Sequence, residues 1–267
     1  MNYKIFMFFM FFMFSIQFSL YSEENLIKKI LQKEPSKYKT ILQNEDKYRL
    51  QIIYTQINRN KDNKPKLTTH KYRVKNDEYF YPASIVKLPL AIFALEKINN
   101  LKKEELTKNT ILSIETNHSC QTSVKKELNK TIGEYIKRAF IVSDNDSYNR
   151  LYEFLGQSYI QKRFNKLNYS QSRIIHRFNY CDTEQNKYTN PFSFYDEEGN
   201  IIYSQKGAYN KNEITKPIEN MNLGLKYTDA KGKLVKSPKD FFDKNYISLE
   251  TIDEILKKII FSDAFKS

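Results

Sequence analysis

The chain has 267 residues, with 44 Lys and Arg against 31 Asp and Glu, a net charge of +13. A hydrophobic content of 40% argues against a long disordered tail, and six Gly and seven Pro exclude collagen-like and linker-like chains. Two Cys exclude a disulfide scaffold, and three scattered His (His70, His118, His176) offer no pair spaced for a metal, so neither a metal nor an organic cofactor is expected.

The N-terminus has the layout of a secretory signal peptide: a basic start at Lys4, an apolar run from Ile5 to Leu20, and the small Ser22 before an acidic stretch. Residues 1–22 are therefore expected to direct export to the periplasm or envelope, with an uncleaved membrane anchor as the alternative. Lys residues are spread along the chain among Glu and Asp without a recognition motif, which points away from nucleic acid. Cys120 and Cys181 meet the condition for pairing in an oxidising compartment, but nothing local decides it.

Residues 23–45 read as an amphipathic helix broken at Pro35, and 47–58 with 67–76 as the strands of a hairpin. Residues 84–98 (SIVKLPLAIFALEKI) form the most apolar helical candidate outside the N-terminus. Thr131 and Glu134 fit a capping box before apolar residues at helical spacing, and a further helix from Ser147 to Leu155 should stop at Gly156. Residues 192–236 hold hairpin turns at Glu198-Gly199-Asn200 and Ala230-Lys231-Gly232. Ser248 precedes a helical apolar stripe through Leu249, Ile252, Ile255, Leu256, Ile259 and Ile260. Helices and strands follow one another without a βαβ rhythm, which predicts an α+β fold with an antiparallel sheet.

Ser-x-x-Lys occurs at Ser36–Lys39, Ser84–Lys87 and Ser123–Lys126, and in a Lys-rich chain such matches arise by chance. Ser84 differs in context, because it follows Tyr81-Pro82-Ala83 and opens the apolar helix. There, burial would depress the Lys87 amine and let it take the Ser84 proton during attack on a carbonyl. The backbone N–H of Ser84 at a helix start would stabilise an oxyanion. The rival reading is a helix-capping serine beside a solvent-facing lysine. Ser143-Asp144-Asn145 offers a second hydroxyl to relay a proton, an Asp to cap the next helix and an Asn amide for a substrate amide; its rival reading is an N-cap cluster.

Pro82-Ala83-Ser84-Ile85-Val86-Lys87-Leu88-Pro89-Leu90 together with Ser143-Asp144-Asn145 resembles the class A serine β-lactamases and their penicillin-binding relatives. Arg173-Ile174-Ile175-His176-Arg177-Phe178 is similar to the entry of that family's active-site loop. The resemblance implies a fold with a helical subdomain and an antiparallel sheet with flanking helices, built by residues 23–267. It implies Ser84 as nucleophile, Lys87 as acylation base, Ser143 as proton relay and Asn145 as substrate ligand. Two departures follow. The family's deacylating Glu falls on Asn179, leaving Glu184 as the nearest substitute, with Asp182 its rival and loop carboxylates without a catalytic role the bland alternative. The family's K-T-G or K-S-G motif is absent, so the resemblance implies a copy lacking its C-terminal strands, with 192–246 as an insertion, that folds poorly or is inactive alone. The expected activity is opening of a β-lactam or related amide through a Ser84 acyl-enzyme. The alternatives are a D-alanyl-D-alanine peptidase and a non-catalytic envelope protein. The expected partner is a small-molecule β-lactam or a cell-wall peptide, with no nucleic acid, no membrane beyond the N-terminal segment, and a monomeric state.

Overall fold

A computed structural model describes residues 26–116, 126–178, 181–229 and 231–261. The N-terminal segment expected to direct export lies outside the described residues. The chain divides into two compact units, one of residues 1–75 with 261–267 and one of residues 76–260.

In the first unit, helix α1 (Leu26–Gln32) ends before Pro35, which begins α2 (Pro35–Leu42). Proline suits that position because its missing N–H would find no helical partner there anyway. A single turn, α3 (Glu45–Tyr48), leads into strand β1 (Ile52–Arg59), which pairs antiparallel with β2 (Pro65–Tyr72) from Ile52↔Tyr72 to Arg59↔Pro65. The hairpin loop is closed by the Asn60 side chain, whose Oδ1 accepts from the N–H groups of Asp62 (3.0 Å) and Lys64 (2.8 Å). Tyr72 donates to the Glu45 carboxylate, and burial together with that acceptor pushes its pKa up to about 12.

The second unit is built around α4 (Lys87–Asn100), which follows a short 3-10 turn at Ala83–Val86. Leu90, Phe93, Ala94 and Ile98 of α4 are buried at a spacing of three to four residues, the signature of a helix with one face in a core. Strand β3 (Ile111–Glu115) lies between β4 (Lys126–Lys130) and β5 (Phe192–Tyr195), and β6 (Ile201–Gln205) completes a four-stranded antiparallel sheet in the order β4-β3-β5-β6. The turn at Glu198-Gly199-Asn200 joins β5 to β6, and residues 192–205, set apart above as the start of an insertion, thus supply half of this sheet. Alternate residues Phe192 and Phe194 are fully buried and meet Phe154 with ring centroids 5.6 and 5.7 Å apart.

Phe154 belongs to α6 (Asn145–Leu155), which follows α5 (Ile132–Ile141) and precedes α7 (Gln157–Lys166). The capping box is formed on its Thr131 side: Thr131 Oγ1 accepts from Glu134 N at 2.9 Å. Gly156 joins α6 to α7 at φ 74°, a conformation open to glycine without a Cβ penalty. Phe164 of α7 meets Phe93 of α4 edge-on at 5.2 Å. Two small ribbons follow, β7 (Asn222–Leu223) with β10 (Lys239–Asp240), and β8 (Tyr227–Thr228) with β9 (Leu234–Val235). Helix α8 (Leu249–Ile260) starts where Ser248 Oγ accepts from Thr251 N at 3.2 Å. The fold is thus a mixed α/β arrangement with antiparallel sheets.

Cys181 is disulfide-bonded. The chain's other cysteine, Cys120, lies outside the described residues.

Candidate active site

Ser84 sits on the 3-10 turn, and Lys87 opens α4 one turn later, which brings Nζ to 3.1 Å from Ser84 Oγ. Pro89 is buried in the first turn of α4. Ala83, immediately before the serine, is held at φ 43°, a left-handed conformation costly for a residue with a Cβ.

The second segment arrives from the α5–α6 junction. Ser143 has φ 53°, also left-handed. Its hydroxyl lies 2.9 Å from Ser84 Oγ, and Lys87 Nζ reaches its Oγ at 2.8 Å and its carbonyl oxygen at 2.6 Å. Asn145 Oδ1 accepts from the same Nζ at 3.0 Å. Four of the predicted site residues, Ser84, Lys87, Ser143 and Asn145, are therefore gathered around one ammonium position.

Asp144 stays outside this cluster of contacts and fixes its geometry. Its carboxylate accepts from Ser147 N at 2.8 Å, capping α6, and lies 3.6 Å from Arg138 Nε. Burial works against its charge, but the Ser147 hydrogen bonds and the Arg138 guanidinium outweigh that and hold its pKa below the usual carboxylate value. Lys87 is 3% exposed, whereas Ser84 and Ser143 are open to solvent. Burial lowers the Lys87 pKa, with the Asp144 charge opposing the shift. The Phe178 ring, 5.5 Å from Nζ, contributes an apolar wall.

Phe178 comes from the segment that begins with Arg173, which is pinned to the unit by residues that sequence reasoning missed. Glu153 on α6 is almost fully buried and accepts from Arg177 (1% exposed), from Arg150 at 3.0 Å and from Asn190 at 3.0 Å. Asn149 Oδ1 accepts from Phe178 N at 2.8 Å, and Asn186 Oδ1 from Arg177 N at 2.7 Å. Asn245 Oδ1 accepts from the N–H groups of Ile175 (2.8 Å) and His176 (3.2 Å). Arg173 donates to the carbonyls of Thr215, Phe242 and Lys244, and burial brings its pKa down to about 10. No spacing rule in the sequence would have found Asn149, Asn245 or Arg173, because each acts on backbone far along the chain.

His176 is stacked on Tyr81 at 6.1 Å with rings 6° apart and packs edge-on against Phe178. Its Nδ1 lies 2.8 Å from Arg177 O, its Nε2 is buried without a partner among the described residues, and burial lowers its pKa to about 4. It is a neutral packing group.

Among the described residues, no hydrogen bond or ion pair joins Glu184 to Ser84, Lys87, Ser143 or Asn145. Glu184 pairs with Lys187 at 3.1 Å, and hydrogen bonds from Lys187 and Tyr209 keep its pKa low in an exposed position. Asp182 accepts from Gln185 N at 2.7 Å. Asn179 lies outside the described residues. Of the other two Ser-x-x-Lys pairs, Ser36–Lys39 is on α2, in the other unit, and Ser123 lies outside the described residues.

A family model described as the Beta-lactamase enzyme family matches residues 36–215, more than half of the chain. This chain belongs to that family. The family match includes all four residues gathered at Lys87, and it runs through β5 and β6 of the central sheet. No curated protein matches the chain.

Proposed function

We propose that this member of the Beta-lactamase enzyme family is an active-site-serine hydrolase of the class A type that opens a β-lactam, or a related amide, through a Ser84 acyl-enzyme. The observation that carries the reading is the position of Lys87 Nζ between Ser84 Oγ (3.1 Å) and Ser143 Oγ (2.8 Å) in a buried setting.

An ammonium has three hydrogens and no lone pair, while a neutral amine has two hydrogens and one lone pair. The Ser143 carbonyl and Asn145 Oδ1 are acceptors only, and they take the two N–H bonds of a neutral Lys87. The remaining lone pair then faces the two hydroxyls and accepts the Ser84 proton as Oγ bonds to the substrate carbonyl carbon. The lactam C–N bond breaks, and Ser143, 2.9 Å from Ser84 Oγ, passes the proton to the leaving nitrogen. Asn145 is the substrate amide ligand. The backbone N–H of Ser84 is the oxyanion donor. The apolar Ile5–Leu20 run supports action outside the cytoplasm.

A second reading, a D-alanyl-D-alanine peptidase that forms the same acyl-enzyme and releases it slowly, is supported by the partners of Glu184. Its carboxylate is engaged with Lys187 and Tyr209, which leaves it a poor base for a deacylating water. Incubation with a chromogenic cephalosporin, followed by intact-mass measurement, tests both. Steady turnover supports the lactamase, and a burst of one equivalent with a persistent adduct supports the peptidase. Absence of any adduct or turnover, in a chain that melts cooperatively, defeats the serine mechanism.

A further inference from the structure

The β8–β9 ribbon combines unpaired positive charge with exposed leucine. Its strands pair Tyr227↔Val235 and Thr228↔Leu234. Asp229 closes the turn: its carboxylate accepts from the backbone N–H groups of Lys231 and Lys233, each at 2.9 Å. Residues 225–236 hold four lysines, Lys226, Lys231, Lys233 and Lys236, against that one carboxylate. All four are exposed, and none makes a side-chain ion pair or hydrogen bond among the described residues. Leu225, beside Lys226, is 87% exposed, and Leu234, beside Lys233, is 50% exposed.

The ribbon has an anchored side and an open side. Opposed residues of an antiparallel pair share a face, and successive pairs alternate. Tyr227 and Val235 are half-buried, and Lys239 Nζ lies 5.5 Å from the Tyr227 ring and 5.6 Å from the Phe241 ring. Phe241 in turn meets Tyr79 and Tyr81 with ring centroids 5.3 and 5.7 Å apart, which ties this side to the unit. Thr228 and Leu234, the other opposed pair, are exposed, as are Lys226 and Lys236, two residues along from each.

We propose that the 225–236 ribbon docks on an anionic lipid surface, its four lysines meeting the headgroups while Leu225 and Leu234 enter the boundary with the acyl chains. The proposal is independent of the Ser84 reading, and it extends membrane contact beyond the N-terminal segment to which it was expected to be limited. Charge alone would suit any polyanion. The leucines favour a bilayer, because a soluble polyanion offers them no apolar phase, whereas the headgroup boundary takes them out of water beside the lysines.

The chain contains no Trp, so Leu225→Trp places a single indole at the ribbon. Leu234→Trp is a second reporter, and Ile201→Trp on the exposed side of β6 is the control. The full chain is titrated with phosphatidylcholine vesicles with and without phosphatidylglycerol. Emission at both ribbon positions should move to the blue on the anionic vesicles and be quenched by brominated lipid, while Ile201→Trp stays unchanged. Each lysine near an anionic surface contributes about fivefold to partitioning. Lys226→Gln, Lys231→Gln, Lys233→Gln and Lys236→Gln together, added to Leu225→Trp, should therefore raise the lipid needed for half the shift by about a hundredfold or more. Salt should weaken the native response, as expected of exposed charges. Equal shifts on neutral and anionic vesicles would overturn the proposal, as would a fourfold lysine variant that binds like its parent. Indoles unmoved at both ribbon positions, in a chain that sediments with the vesicles, would assign binding to another segment and overturn it. Failure of the chain to bind vesicles would overturn it too. Retention on dextran sulfate through the four lysines, with no response to vesicles, would give the ribbon to a soluble polyanion instead.

Discussion

Lys87 Nζ lies 2.6 Å from the carbonyl oxygen of Ser143, across 56 residues of chain. This contact turns the end of α5 and the start of α4 into one site. It also makes Lys87 both a structural tie and the proposed base, since the same Nζ touches both hydroxyls.

Replacing the amine should separate these roles. Lys87→Met keeps the length and apolar stem of the side chain and removes the base. Acylation of Ser84 should fall by about a hundredfold to ten-thousandfold, the usual contribution of a positioned base, while the chain stays folded. Acylation by the native protein should rise with pH as Lys87 loses its proton and level off below pH of about 10.4, the ordinary lysine value, because burial lowers this pKa. Stopped-flow labelling across pH measures both effects.

Glu153 is bonded to both Arg177 and Arg150, and it is itself buried. Glu153→Ala would take a buried carboxylate from both guanidinium groups, although Arg150 keeps Glu127 at 2.8 Å and Arg177 keeps the Gln185 carbonyl. Breaking a buried pair from one side removes about 3–5 kcal/mol. Urea unfolding should show a loss of that size, and a change under 1 kcal/mol would mean that the arginines find other partners.

His176 makes stability sensitive to acid. Its folded pKa of about 4 lies below the ordinary 6.5 because burial opposes its charge. Its contribution is complete above pH 6.5 and is lost as pH falls towards 4, where the unfolded chain binds a proton that the folded chain resists. The loss approaches about 3 kcal/mol, at 1.36 kcal/mol per pH unit. Melting curves between pH 7 and 4 should show it, and His176→Phe, which carries no titrating group, should flatten this part of the profile.

Gly207 is held by close approach of backbone. A Cβ added there would stand 2.7 Å from the carbonyl oxygen of Thr189, which is fixed in the chain and cannot swing away. Gly207→Ala should therefore destabilise by about 1–3 kcal/mol, the range for overpacking. Gly199→Ala meets no neighbouring atom within 4 Å, so a loss there reports only its φ of 88°. Chemical denaturation of the two variants distinguishes the causes.

Much of the local structure was legible in the residues. Pro35 separates two helices, Thr131 caps α5, Gly156 ends α6 and the hairpin strands fall at 52–59 and 65–72, all because caps, turns and strand patterning act within a few residues. Helix α6 begins two residues earlier than its apolar pattern indicated, because Asp144 rather than a later residue caps it. Helix α7 and strands β3 and β4 were not read, since their apolar residues are sparse or lie in short runs.

The sequence by itself determined the chemistry on offer: a serine one turn before a lysine at the head of an apolar helix, and a second serine beside an asparagine. Only the tertiary structure decided that these groups meet, and that Lys87 is buried while both hydroxyls stay open. The reason is that hydrogen bonds spanning 59 residues depend on how α4, α5 and α6 pack, which no local pattern encodes. Glu153 and Asn245 were hidden for the same cause: Glu153 meets Arg177 24 residues on, and Asn245 meets the backbone of Ile175 70 residues before it.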